Sequence, residues 1–250
     1  MTEKIIVIAK DVQKFINEIY DEYAKRYHNL SKHRFNIKQE VISKAGFWVA
    51  KKRYAQLMIY KEGVSLVEMD VKGIDVVRSD FPPAYKKFFE NILYDILNKK
   101  TMDHVNKRVS KFKSSVATIP IEQIIFPVGV KDLSKYESAN RNIFTSLKGA
   151  PIHVKSSIYY NDLLDFYNLD TGYITNGEKI KWLYLKNNEF NIETIALKQN
   201  APAKIVEFAN KYIDREKMFE SKLKNKLTDF YSALNWSLVT NENVNKFFSF

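Results

Sequence analysis

Residues 46–80 read GFWVAKKRYAQLMIYKEGVSLVEMDVKGIDVVRSD, and this stretch decides the fold. Its first part, 46–60, is rich in aromatic and β-branched residues and predicts a strand. KEG at 61–63 predicts a tight turn, because glycine accepts the positive φ that short hairpin turns demand. VSLVEMDV at 64–71 alternates apolar and polar residues, the period of a strand with one covered face. Upstream, RFNIKQEVIS at 34–43 alternates as well and predicts a further strand, with a break at Lys44–Gly46. Residues 11–27 carry Val12, Phe15, Ile16, Ile19, Tyr20 and Tyr23 at helical spacing. A helix packed on an antiparallel meander is therefore expected over the first 78 residues.

The pattern changes at Ser79. Pro82 and Pro83 stand where a helix opens, since proline lacks the N–H that a first turn leaves unused. Tyr85, Phe88, Phe89, Ile92, Leu93, Ile96 and Leu97 follow as one apolar stripe. Helical spacing recurs at 101–113, 155–168, 203–213 and 215–235, with Asp214 placed to cap the last of these. KIKWLYL (179–185) and NIETIAL (191–197) predict a β-hairpin around Asn187–Asn188. The fold class expected is α+β: an antiparallel sheet with a helix, then a mainly helical region with a small β insert. The boundary is placed near residue 79.

Composition bounds the partners. The 250 residues hold 40 Lys+Arg against 29 Asp+Glu, a net charge of +11, which favours a polyanionic partner. A solvated basic surface would give the same count. Cysteine is absent, which excludes disulfides, thiolate zinc sites and thiol chemistry. The longest apolar run near the N-terminus, Ile5–Ile8, is too short for a signal peptide or a membrane span, so no membrane partner is expected and the expected compartment is the cytoplasm.

Three groups of residues invite a functional reading. Lys51, Lys52, Arg53 and Tyr54 put cations beside a phenol. On a continuous strand, Lys52 and Tyr54 would share one face, suited to a nucleic-acid backbone. An edge strand protected by charge reads the same way, and spacing does not separate the two. Lys72, Gly73 and Arg78 lie where a strand end leads into the proline-initiated helix, and local structure accounts for them. The terminal Phe247, Phe248 and Phe250 are either an aromatic anchor for a partner's pocket or a terminus folded onto the core.

The motifs GFWVAKKRYA and KGIDVVRSD, in this order, resemble the palm-to-thumb stretch of family B DNA polymerases, with a phage-type flavour in the later segments. There the first motif touches the primer–template duplex behind the active site and the second leads into the thumb. Pro151, His153, Lys155, Tyr160 and Asn161 resemble a thumb segment of the family, with Lys155 standing at the usual arginine. Glu178–Leu185 resembles a thumb strand. The resemblance implies DNA contacts from Lys51, Lys52, Arg53, Tyr54, Lys72, Arg78, His153, Lys155, Tyr160 and Asn161. It implies sliding-clamp binding by Phe247, Phe248 and Phe250. It divides the chain into palm (1–78), thumb (79–240) and tail (241–250).

The family's catalytic signatures do not occur. No Asp-x-Asp triplet exists in the sequence, and neither an Asp-x-x-Ser-Leu-Tyr-Pro segment nor a Gly-rich phosphate loop is present. Glu68 and Asp70 are the nearest carboxylate pair, and a solvated or locally paired role suffices for them. The expectation is thus a polymerase subunit without its own catalytic residues. It would bind no cofactor itself. A partner subunit with exonuclease, fingers and catalytic palm would hold the two magnesium ions. A stand-alone, sequence-independent nucleic-acid-binding protein, and an interaction protein working through its aromatic tail, are the rival expectations.

Overall fold

A computed structural model describes residues 2–35, 37–75, 78, 81–137, 142–146 and 148–236. The described residues form two compact units. One comprises Met1–Gly46 and Gln56–Asp70, the other Phe47–Ala55 and Val71–Phe250. The architecture is α+β, as expected, with two antiparallel three-stranded sheets and seven α-helices among the described residues.

The first unit begins with helix α1, Thr2–His28, which extends the expected helix upstream through Ile5–Ile8. Its polar side faces its own chain. Gln13 Oε1 accepts from the Gln39 N–H at 2.8 Å, Asn17 Nδ2 donates to the Ile37 carbonyl at 2.9 Å, and Asp21 Oδ1 accepts from the His33 N–H at 2.9 Å. These bonds correct the expectation of a strand over 34–43. The Ile37 carbonyl and the His33 and Gln39 N–H groups take their partners from a helix face, and strand β1 begins only at Val41 and runs to Ala50. The His33 side chain is 9% exposed, with the Tyr20 ring 5.6 Å away.

Strand β2 spans Arg53–Lys61 and β3 spans Val64–Lys72, in the sheet order β1-β2-β3. The expected turn at 61–63 is present. Glu62 and Gly63 both have positive φ, 46° and 96°, the geometry a two-residue hairpin loop needs. A second turn was not expected. Lys51 and Lys52 interrupt what reads as one long strand from 46 to 60, and Lys52 lies in the left-handed region at φ 63°.

In the second unit, helix α2, Pro83–Leu97, starts behind Pro82 and buries all seven residues of its expected stripe. Each such side chain contributes roughly 1.5–3 kcal/mol on leaving water. Helix α3, Met102–Val116, is capped by the Thr101 side chain, which accepts from the His104 N–H. Phe88 stacks on Phe112 with centroids 4.3 Å apart, joining α2 to α3. Buried Asp95 of α2 receives Arg108 of α3 through Nε at 2.5 Å and Nη2 at 3.2 Å.

The β insert has three strands, one more than expected: β4 (Phe126–Gly129), β5 (Lys179–Tyr184) and β6 (Thr194–Leu197). β4 pairs with β5, placing Phe126 opposite Trp182. Its Pro127 suits an edge strand, because it has no N–H to offer a further neighbour. A one-turn helix α4, Leu133–Tyr136, follows β4. β6 is buried along its whole length, and helix α5, Ile152–Phe166, lies against it with the Ser156 and Thr194 hydroxyls 2.6 Å apart. Helix α6, Ala203–Tyr212, leads to Asp214, whose carboxylate accepts from the Lys217 N–H and caps helix α7, Arg215–Ala233. Arg215 then donates to the Val116 and Ile119 carbonyls, closing the end of α3. Phe230 of α7 meets Phe47 and Phe89 edge-on at 5.5 and 5.7 Å.

Candidate nucleic-acid interface

The two motifs that are twenty residues apart in the chain meet in the second unit. Gly73 has φ +65°, and a Cβ there would lie 2.1 Å from the Lys52 carbonyl oxygen. Only glycine allows this approach, for reasons of both backbone conformation and space. The contact holds the Lys51–Lys52 turn beside the Lys72–Gly73 segment, with Lys51, Lys52 and Lys72 all exposed.

This geometry corrects the face argument drawn from sequence. Lys52 does not alternate with Tyr54 along a strand, because it sits in the turn. Tyr54 follows on β2 and lies near-parallel to Trp48 of β1, centroids 6.4 Å apart, and Trp48 is 65% exposed. The turn therefore presents lysines at its tip and a pair of aromatic rings beside it. Arg53 is engaged within the fold, its Nη2 3.5 Å from Asp229 Oδ2 on α7.

Arg78 is exposed and lies 3.6 Å from the Asp75 carboxylate, whose backbone carbonyl also accepts from the Arg78 N–H. Asp75 is held a second time by the Lys226 ammonium of α7. Helix α7 thus reaches both motifs: Asp229 engages Arg53 and Lys226 engages Asp75. Sequence reasoning missed these residues, because a charged helix face reads as solvated. The one available signal was their spacing, Lys222, Lys226 and Asp229 falling on one side of the helix.

The residues expected on the thumb are distributed differently. Lys155 of α5 is paired with Glu193 at 3.2 Å. Tyr160 is 1% exposed and belongs to the core, where burial pushes its phenol upward from the ordinary range. Asn161 is buried and clamps Ile174 from both sides, donating to its carbonyl at 3.1 Å and accepting from its N–H at 2.8 Å. Neither side chain offers a free edge to a phosphate, so the DNA contacts expected of Tyr160 and Asn161 do not fit this geometry. α5 is buried nearly all round, and the residue types alone do not reveal that. His153 is half-buried, and burial pulls its imidazole below the usual histidine range, which favours the neutral ring. Phe247, Phe248 and Phe250 lie outside the described residues.

No three His, Cys, Asp or Glu side chains gather into a group able to hold a metal ion among the described residues. Asp70 accepts from the Gln56 amide at 3.1 Å, and Glu68 stands exposed beside it. Among the described residues no helix is long and apolar enough to cross a membrane.

The fold and this cationic turn define an α+β protein with an exposed basic turn. Residues 5–233 match the model of DNA polymerase family B, and the chain belongs to that family. Membership assigns it to DNA-directed DNA polymerases, which are transferases of DNA replication, and implies template binding in general. A search of curated proteins returns no match.

Proposed function

We propose that the chain is the palm-and-thumb part of a phage-type family B polymerase: it grips primer–template duplex and completes an active site with a partner subunit. Palm (1–78), thumb (79–240) and a clamp-binding tail (241–250) are the divisions this reading assigns. The observation that carries it is the interlock of Gly73 with the Lys52 carbonyl. That contact gathers the cations of both motifs into one rigid edge. A surface of this kind neutralises successive phosphates without reading bases. Lys51, Lys52 and Lys72 are the phosphate contacts, and Tyr54 with Trp48 lies along the sugar edge.

Two further features support the partner. The sequence contains no Asp-x-Asp triplet, so the aspartates that hold two magnesium ions reside outside these 250 residues. Helix α1 spends its polar side on its own chain and leaves Ile5, Ile8, Val12, Phe15, Ile19 and Tyr23 exposed on the opposite side, each at least 41%. These six recur every three or four residues and form one stripe. An apolar stripe of this length fits burial against the remainder of a palm. The site of action on this reading is the host cytoplasm, at a replication fork.

Duplex binding by the 250-residue chain tests the proposal. Affinity should fall with a log–log salt slope of about −0.9 for each phosphate neutralised. Lys51→Glu/Lys52→Glu should cut it by about tenfold or more at low salt while thermal stability holds. A flat salt response, or unchanged binding by the double variant, would sink the reading. The chain alone should extend no primer, and should do so once a subunit bearing the Asp-Thr-Asp turn is added. Phe247→Ala/Phe250→Ala should release a sliding clamp.

A further inference from the structure

The sequence holds seven glycines, and only Gly177 follows an asparagine. Asparagine is a thermolabile residue, and glycine makes the pair more so. Glycine has no side chain to shield its backbone nitrogen and rotates freely about φ, so that nitrogen can reach the side-chain amide carbon of the residue before it. Asn176 and Gly177 occupy the turn that enters β5. The Glu178 N–H donates to the Thr175 carbonyl at 3.3 Å, and Gly177 has φ +91°. This is the pattern of a type II turn with Asn176 in its first central place. Asn176 is exposed, so water reaches it.

The folded chain ties down both groups that would react. The Gly177 N–H donates to the Val130 carbonyl at 2.9 Å, and the Val130 N–H donates to the Glu178 carbonyl at 2.9 Å. Asn176 Oδ1 accepts from the Leu133 N–H, at the start of α4, at 2.7 Å. The glycine nitrogen and the asparagine amide are thus each held by the segment that follows β4.

We propose that Asn176 is a site of spontaneous deamidation that the fold holds shut and that unfolding opens. The Gly177 nitrogen bonds to Asn176 Cγ and gives up its proton, the Cγ–Nδ2 bond breaks, and ammonia leaves carrying that proton. Water then opens the resulting cyclic imide at either carbonyl, giving aspartate or isoaspartate. In the folded chain the first step is blocked, because the nitrogen is engaged with Val130 and the amide with Leu133. Isoaspartate adds a carbon to the backbone beside the Val130–Glu178 pairing. Either product adds a carboxylate to a cleft that Glu137, Asp162 and Asp165 also line. A single opening of the β insert is therefore recorded as a covalent change that opposes its closing again. This inference does not depend on the duplex-gripping reading.

The test incubates the full chain in mildly alkaline buffer, with and without denaturing urea, and follows its asparagine peptides by mass spectrometry. In urea the Asn176 peptide should convert from amide to acid before any other. In buffer it should convert at least about tenfold more slowly, because the rate tracks the open population. Gly177→Ala in urea should slow Asn176 several-fold, since a methyl group shields the nitrogen, and leave the other asparagines unmoved. Modified chain returned to buffer should melt at a lower temperature than unmodified chain taken briefly through urea. Equal rates in buffer and urea overturn the protection. Asn176 converting no faster than other asparagines in urea, or at a rate indifferent to Gly177→Ala, overturns the site. Identical melting of modified and unmodified chains overturns the covalent record.

Discussion

At the scale of single residues, Gly73 and Gly63 make a matched pair. Both have positive φ, where an alanine costs roughly 1–2 kcal/mol in backbone conformation alone. They differ in their surroundings. Gly63 has nothing within 4 Å of a built Cβ, whereas at Gly73 the Lys52 carbonyl stands 2.1 Å away. Gly63→Ala should therefore lower the melting temperature modestly and leave duplex binding alone. Gly73→Ala should lower it further and also weaken duplex binding, because the Lys51–Lys52 turn must shift. Equal effects from the two variants would remove the interlock from the account. Tyr85 offers a contrasting case. Its ring is fully buried and its hydroxyl has no hydrogen-bond partner among the described groups, so Tyr85→Phe should leave stability unchanged or raise it by about 1 kcal/mol in thermal melts. The sequence showed where the cations were but not how they are presented. Lys52 is chemically an unremarkable strand residue, and its left-handed backbone is imposed by a turn that carries neither glycine nor asparagine.

Elements were legible wherever a local rule and the tertiary outcome agree. Pro82–Pro83 opens α2, Thr101 and Asp214 cap their helices, and the hydrophobic stripe of α2 is buried throughout. They were illegible where a partner elsewhere in the chain decides. Residues 34–40 alternate like a strand, yet Gln13 and Asn17 satisfy the backbone there. β4 is four residues with a proline, too short to announce itself. α7 shows how cap and surface separate within one element. Asp214→Ala should cost about 1 kcal/mol by freeing the Lys217 N–H. The face bearing Lys222, Lys226 and Asp229 begins about two turns later, so duplex affinity should stay within twofold of wild type while the melting temperature falls. A parallel loss of affinity would mean that the first turn itself carries part of the interface.

Over the whole chain, charge couples to stability most clearly at high pH. Burial pushes the Tyr231 phenol from 10 up to about 12, and it pushes Tyr85 upward as well. The folded state thus keeps protons that the unfolded chain surrenders first. The stabilisation is complete below pH 10 and is lost progressively as the pH rises through 12. Denaturant titrations at a series of alkaline pH values should show the unfolding midpoint declining from about pH 10. Tyr231→Phe should begin from a lower midpoint, because Asn106 loses its hydroxyl partner, but decline less steeply. An equal slope would assign the alkaline loss to other groups.

The stripe on α1 has a consequence for the cell that makes this protein. A helix with its apolar side uncovered is adhesive from the moment it is synthesised, and any other copy of the chain is available to it. Self-association then rises with the amount made, which makes the level of synthesis part of this protein's folding conditions.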